Sequence, residues 1–514
     1  MPLNSNKRSQ KRRQDFNRSI LWFIFYLNLF FLFPQLHLNA QNGIKREMRA
    51  AWIATVKNID WPTSPFLSVD SQKAEADRIL DSLKSFGINT VYLQVRSSAD
   101  ALYSKSREPW SEWLTGKQGQ APDPPYDPLI YFLNGAHDRG MELHAWVNPY
   151  RAVFNNALPN LASNHMVYQH PEWFFKYGTR TLFNPGIPEV RDYIESIILD
   201  IVQKYDVDGI HMDDYFYPYP ISGQPIPDAK TYIRYGAGFK DINEWRRNNV
   251  NLLVKELNEK IKAEKPYVKF GISPFGVWRN YSQDSLGSDT HGGSSYDLQF
   301  ADTRKWIKEG WLDYLVPQIY FTLEFQRLPF LKAVEWWNQN TFSRQVYIGL
   351  GLYRIGEKND HWTDPMEIPN QIIECRKMDH ISGMAFFSTR SILINKLGVS
   401  DSLKKDFFSL RALPPRMKWI DSIPPSPPDS LVLDTIKTGI KLKWKAPPVK
   451  SVLDSSLYYL VYRFNEGEEL NTDYTDHLVG MVYRRTEFAD EKILPHHKYI
   501  YLVTATDRLW NESK

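Results

Sequence analysis

The chain has 514 residues, 42% hydrophobic and 14% aromatic, which is too long for one ordinary core but fits a large barrel plus a small module. Its formal charge of +4 is carried by the first 40 residues, where six Lys and Arg face one Asp, so the remainder stands near −1. That balance excludes the basic signature of a nucleic-acid binder. Cys375 is the only cysteine, so no internal disulfide can form, and an oxidising compartment is permitted without being demonstrated.

The N-terminus reads as a targeting segment. KRSQKRR gives a basic start, Ile20 to Phe33 is apolar but too short to span a bilayer comfortably, and LNA ends at Ala40. Residues 1–40 are expected to be a signal peptide cleaved before Gln41, with an uncleaved signal anchor as the alternative. No Cys lies near the cleavage site to accept a lipid. The expected product is exported, periplasmic or secreted, with no stable membrane insertion after cleavage.

From Glu47 to about Leu410, β-rich runs alternate with amphipathic stretches eight times. The strand candidates are EMRAAWIATV, NTVYLQVR, MELHAWVNPY, VDGIHMDDY, VKFGISPFG, DYLVPQIYF, QVYIGLGLY and GMAFFSTR. Helical periodicity marks SQKAEADRILDSLKSFG, PEVRDYIESIILDIVQKY and FKDINEWRRNNVNLLVKELNEKIKAE. The pattern predicts an α/β fold, a (β/α)8 TIM barrel over 44–412. An open doubly wound sheet is the competing reading, but no Gly-rich phosphate turn follows the first strand. Residues 413–423 form a Pro-rich linker, and 424–514 alternate like short antiparallel strands of a small all-β sandwich. GIKLKWKAPP, YYLVYRF, TEFAD and HKYIYLVTATD resemble a fibronectin type III module, with Trp444 at its core position and Tyr499 at its tyrosine corner. A module on such a connector is expected to be separable from the barrel.

Active sites of such barrels lie where strands end. Alternation puts His144, Trp146 and Asn148 on one face, His211 and Asp213 on another, and Gln318 with Tyr320 on a third. A buried face ending in such groups is costly unless they pair or work. In DGIHMDDYFYP, Asp213 and Asp214 are neighbours on a strand, so they are expected to point to opposite sides. Asp213 is then the inward catalytic acid, held by His211, and Asp214 tethers the following loop or binds substrate. The competing reading is an acidic loop that caps helix dipoles or pairs with surface Arg.

RAAWIATVKNIDWP, YLQVRSSADALYSKSREPWSEWLTG, HDRGMELHAWVNPYR, YDVDGIHMDDYFYP, ISPFGVWRN, ADTRKWIKEGWLDYLVPQIY and GLGLYRIG, in this order over roughly 44–410, are similar to the glycosyl hydrolase-like 10 family of bacterial envelope barrels. The resemblance implies a TIM-barrel glycoside hydrolase associated with cleavage of bacterial cell-wall glycans. Carried over by position, it marks Arg49, Gln94, Arg96, Asp100, His144, Asn148, Arg151, Asp213, Asp214, Asp302, Gln318 and Tyr320. Ser97, Ser98 and Phe321 depart from the family's usual residues, and the lipid-attachment Cys common in envelope relatives is absent.

For a second acid, Glu324 lies in the loop after the sixth strand, with a solvated loop carboxylate as its competing reading. Asp302 stands near a helix start, where an N-cap role competes with a functional one. If no second carboxylate faces Asp213, a substrate N-acetyl group serves as internal nucleophile. Trp61, Trp110, Trp113, Trp146, Tyr215, Phe216, Tyr217 and Trp278 fall near strand ends, where sugar stacking competes with core packing. Arg96 and Arg151 suit an acidic sugar, or an ion pair with Asp213. No cofactor or metal is expected, since no two His have the helical spacing of a ligand pair, which counts against a metal-dependent polysaccharide deacetylase. A noncatalytic glycan-binding barrel is the remaining alternative.

Overall fold

The structure is a computed structural model that describes residues 43–156, 161–449 and 451–514. The expected leader, residues 1–40, lies outside the described residues. Among the described residues, no helix is long and apolar enough to cross a membrane.

Eight parallel strands close a barrel: β1 (Met48–Ile53), β2 (Thr90–Arg96), β3 (Glu142–Val147), β4 (Gly209–Met212), β5 (Lys269–Ile272), β6 (Tyr314–Leu315), β7 (Gln345–Leu350) and β8 (Ile381–Phe386). The first seven fall within the runs expected from sequence, and β8 begins two residues before its run, GMAFFSTR. A helix follows each: α1 (Val69–Phe86), α2 (Pro128–Asp138), α3 (Pro188–Lys204), α4 (Ile242–Glu264), α5 (Thr303–Lys308), α6 (Phe330–Gln339), α7 (Glu367–Arg376) and α8 (Thr389–Ile394). Helical spacing of Ala76, Ile79, Leu80 and Leu83 buries one face of α1 against the sheet, and Ile194, Ile197, Ile198 and Ile201 do the same for α3. β6 is short because Pro317 cannot donate to the ladder. Single bridges from Gln318 to Phe275 and Gly349 carry that wall onward. Between β3 and α3, strands 151–153, 174–177 and 180–183 form a small antiparallel sheet.

Inside the barrel, one set of alternating residues is apolar and aromatic: Met48, Ala50, Trp52, Tyr92, Tyr314 and Tyr347. Along its axis runs a polar chain. Trp52 Nε1 donates to His211 Nε2 (3.1 Å), which leaves His211 Nδ1–H for Tyr314 Oη (3.1 Å). Tyr314 Oη then donates to His144 Nδ1 (2.7 Å), and His144 Nε2 to Glu142 (3.1 Å), which pairs with Lys269. Gly209 and Gly271 are required here: a Cβ at either would lie 2.7 Å from His144 Nδ1 or 2.1 Å from the Tyr314 ring.

The C-terminal part holds two three-stranded antiparallel sheets. One has the order β9 (Asp429–Ile436), β10 (Gly439–Lys445), β13 (Glu487–Asp490); the other β12 (Leu478–Tyr483), β11 (Tyr458–Asn465), β14 (Tyr499–Thr506). Trp444 is buried against Tyr459, and Tyr499 Oη accepts from Leu494 N (3.1 Å).

The connector is not a free tether. Leu413 pairs through its backbone with Lys45 and Glu47, Met417 joins the cluster inside the barrel, and Trp419 Nε1 donates to Asp313 (3.0 Å). From the far end, Leu509 enters the same cluster and Trp510 Nε1 donates to Glu142 (2.5 Å). Arg508 pairs with Asp206 (2.5 Å). These contacts plug the N-terminal mouth of the barrel and differ from the separable module expected from the proline-rich composition. Trp510→Ala should therefore destabilise the whole chain by about 3 kcal/mol, the range for deleting a buried Trp. Urea denaturation followed by fluorescence from both parts checks it, and a transition confined to the C-terminal sheets would contradict it.

Candidate active site

All eight strand ends contribute to one cavity of about 400 Å³ at the C-terminal mouth of the barrel. Trp52, Gln94, Trp146, Asp213, Asp214, Ser273, Gln318, Tyr320, Tyr353 and Phe387 are among its walls. Both acids open onto it, which corrects the expectation that they point to opposite sides. β4 ends at Met212, and the backbone bends at Asp214, so strand alternation no longer applies.

Both carboxyls are buried, and burial is the largest cause that pushes them up, Asp213 to about 7 and Asp214 to about 6. For Asp213 the neighbouring charge of Asp214 acts in the same sense. Arg151, the backbone N–H of Tyr215 (3.3 Å) and the side chain of Asn148 act in the opposite sense. Tyr219 Oη and Gln318 hold Asp214. Asn148 is itself fixed by Gln94 Nε2 (2.7 Å), whose Oε1 accepts from the backbone N–H groups of Thr55 and Val56. A relay of amides from β1, β2 and β3 thus sets the position of Asp213. The charge of Asp214 acts on Asp213, so the two titrate as a pair, and Asp213 is the one that holds its proton to higher pH.

Of the residues expected from sequence, Gln94, Trp146, Arg151, Asp213, Asp214, Tyr215, Gln318 and Tyr320 line the cavity, and Asn148 reaches it through Asp213. The others do not. His211 does not touch Asp213; it sits on the barrel axis, stacked on Tyr92 at 4.1 Å, and burial lowers its pKa far below the usual imidazole value. His144 is a step further down that axis. Arg49 lies near the start of β1, pairs with Glu47 and faces Phe408. Arg96 is buried in a bidentate pair with Glu108, and Asp100 accepts from Ser98 N and Ser111 Oγ in a separate crevice. Asp302 caps α5 and accepts from Trp278 Nε1 (2.9 Å), while Trp278 stacks on Trp336, and neither lines the cavity. Glu324 is exposed and pairs with His361 (3.2 Å), outside the cavity, because its loop turns outward.

The sequence reading passed over Lys57, Phe154, Arg180, Tyr219, Tyr353 and Phe387, which also line the cavity. Lys57 lies inside the RAAWIATVKNIDWP motif already singled out, and Tyr219 directly follows the last residue of YDVDGIHMDDYFYP. Lys57 and Asn58 both have φ of 55°, a conformation that costs a residue with a Cβ. Asn58 Nδ2 fixes the turn by donating to the carbonyls of Pro62 and Trp113, both at 2.8 Å.

The family model for Glycosyl hydrolase-like 10 matches residues 47–364. The chain belongs to the glycosyl hydrolase-like 10 family. It is 44% identical over 482 residues to Glycosyl hydrolase YngK of Bacillus subtilis, covering 93% of both chains. With Glycosyl hydrolase DigH of Escherichia coli K12 it shares 39% over 374 residues, 68% of this chain and 84% of the relative. Among solved structures, the glycoside hydrolase domain of PgaB from Bordetella bronchiseptica superposes with a TM-score of 0.47 at 12% identity, over 72% of this chain and 100% of that one.

The buried pair has a signature in stability. Its folded-state pKa values lie above those of an unfolded chain, so its contribution is fully present below about pH 4 and is lost as pH rises through 6 to 7. Asp213→Asn should leave stability near that of the parent at pH 4 and raise it by about 2 kcal/mol at pH 8. Urea denaturation at the two pH values measures the difference; equal stability at pH 8 would refute a buried, repelling pair.

Proposed function

We propose that the protein is an exported glycoside hydrolase that cleaves an amino-sugar glycan of the bacterial cell wall, with Asp213 as general acid and base. The observation that carries the reading is the Asp213 and Asp214 pair, the only carboxylates among the described residues that line the aromatic cavity. With its pKa pushed up to about 7, Asp213 is partly protonated near neutral pH and can donate that proton to a glycosidic oxygen.

Adjacent residues on one wall do not flank a sugar from two faces, which is what a pair of acid and carboxylate nucleophile requires. That favours substrate assistance. As Asp213 protonates the leaving oxygen and the bond to C1 breaks, the carbonyl oxygen of the sugar's own 2-acetamido group attacks C1. Asp214, ionised first and oriented by Tyr219 and Gln318, stabilises the positive charge that develops on the acetamido nitrogen. Asp213, now a carboxylate, takes a proton from water as the water opens the cyclic intermediate. Trp52, Trp146, Tyr215 and Tyr320 offer apolar faces for the ring. The basic leader followed by an apolar run supports export, and the two C-terminal sheets fit a fibronectin type III-like accessory module.

The test uses peptidoglycan glycan strands freed of stem peptides, alongside chitin oligosaccharides, with released fragments separated by chromatography. The parent should release fragments. Asp213→Asn should lower the rate roughly 100-fold or more, the scale of lost acid–base work, while Glu324→Gln stays within about twofold of the parent. A folded parent that cuts neither substrate, or an Asp213→Asn variant as active as the parent, would return the protein to a glycan-binding role. For export, mass spectrometry of the protein from its native envelope should find Gln41 at the N-terminus; residues 1–40 intact on cytoplasmic protein would defeat that part.

A further inference from the structure

Beside the catalytic cavity lies a second hollow of about 270 Å³, near the lower end of ligand-pocket sizes, roughly 300 Å³. Its floor comes from the small antiparallel sheet after β3, through Tyr177, Gly178 and Leu182, and its far wall from Tyr217 to Ile221. The two spaces share Arg151, Arg180, Tyr215 and Tyr219, so they adjoin along one common wall.

Three cations gather around Phe154, which with Lys57 lines the catalytic cavity, whereas Arg151 and Arg180 line both spaces. Lys57 Nζ, the Arg151 guanidinium and the Arg180 guanidinium lie 5.2, 5.5 and 5.8 Å from the centre of the Phe154 ring. Arg151 and Arg180 also lie 4.4 and 5.9 Å from the centre of the Tyr215 ring. Arg151 donates to the Ser97 carbonyl (3.2 Å) and its charge favours ionisation of both catalytic acids. Among the described residues, none of the three has a carboxylate oxygen within 4 Å, in contrast to Arg96, whose guanidinium is saturated by Glu108. Three like charges held together by aromatic rings, two of them lining both spaces, form a receptor for an anion.

We propose that this second hollow is a sugar subsite that takes a carboxylate-bearing sugar, with Arg180 as the group that meets the carboxylate and Lys57 adding its charge from the catalytic cavity. The proposal rests on the glycan reading above and adds a requirement to it: the unit next to the one held over Asp213 is acidic. A guanidinium is suited to the role because it offers paired N–H donors to the two carboxylate oxygens while its face rests on an aromatic ring.

Binding measured on the full chain carrying Asp213→Asn separates this from the hydrolysis itself. The probes are oligosaccharides of alternating N-acetylglucosamine and N-acetylmuramic acid, and the same oligosaccharides with the carboxylates reduced to alcohols, each titrated calorimetrically. The acidic form is expected to bind about tenfold more tightly than the reduced form at low salt. Arg180→Gln in the same background should abolish that preference and change binding of the reduced form less than twofold, and Arg180→Lys should restore part of it. Hyaluronan oligosaccharides, whose carboxylate sits on the sugar ring, identify the source of the carboxylate, and binding of either acidic probe with dependence on Arg180 supports the subsite. Equal affinity for acidic and reduced probes, an Arg180→Gln variant that weakens both alike, or no binding of any probe would overturn it. Hydrolysis by the parent without the preference removes the subsite and leaves the reaction, whereas the preference without hydrolysis removes the reaction and leaves the subsite.

Discussion

Two carboxyl groups on successive residues, taken out of water at the end of one strand, are the constraint around which the mouth of this barrel is arranged. Their mutual repulsion and burial favour neutral forms, so every polar group near them either offsets that cost or uses it. Asn148 and Arg151 after β3, Tyr219 after β4 and Gln318 after β6 offset it. What remains is an acid, Asp213, whose pKa is pushed up to about 7 in a cavity walled by aromatic rings. An acid in that condition is of little use to a fold and of direct use to a reaction that must protonate a leaving oxygen.

Beneath the acids, the barrel axis is a hydrogen-bonded chain rather than a purely apolar filling. It passes from Trp52 and Ser273, which face the cavity, through His211, Tyr314 and His144 to Glu142. The direction of each bond follows from the first, because the indole N–H of Trp52 can only donate. At the opposite end Glu142 meets Lys269 and Trp510, so the segment around Trp510 completes a network that ends under the candidate active site. A buried network of this kind rigidifies when every member is satisfied and weakens as a whole when one is removed. This ties the stability of the barrel to a segment that composition alone assigns to another module.

The cations at the cavity rim complete the chemical picture. Arg151 belongs to both spaces, biasing the acids toward ionisation on one side and facing the second hollow on the other. Arg180 comes from the inserted sheet after β3 and Lys57 from a left-handed turn after β1. A barrel supplies a rigid circle of strand ends, and insertions between them decide what is recognised beside the point of chemistry.

The sequence by itself determined the eight βα units, the strand runs and the identity of Asp213 and Asp214 as residues at a strand end. Those features are local: periodicity of two or 3.6 states which side of an element is buried, and closure of the barrel then gathers the strand ends. It did not determine orientation once a strand stopped. Asp214 turns to the same side as Asp213 because regular pairing ends at Met212, and Glu324 turns away because its loop does. Nor did it identify partners across the barrel. His211 bonds Trp52 and Tyr314 instead of Asp213, and Arg96 is consumed by Glu108. Proline-rich composition suggested a loose connector, whereas Met417 and Leu509 lie inside the barrel mouth. Pairings between residues far apart in the chain are set by where closed strands and packed loops bring side chains together, and that information exists only in the tertiary structure.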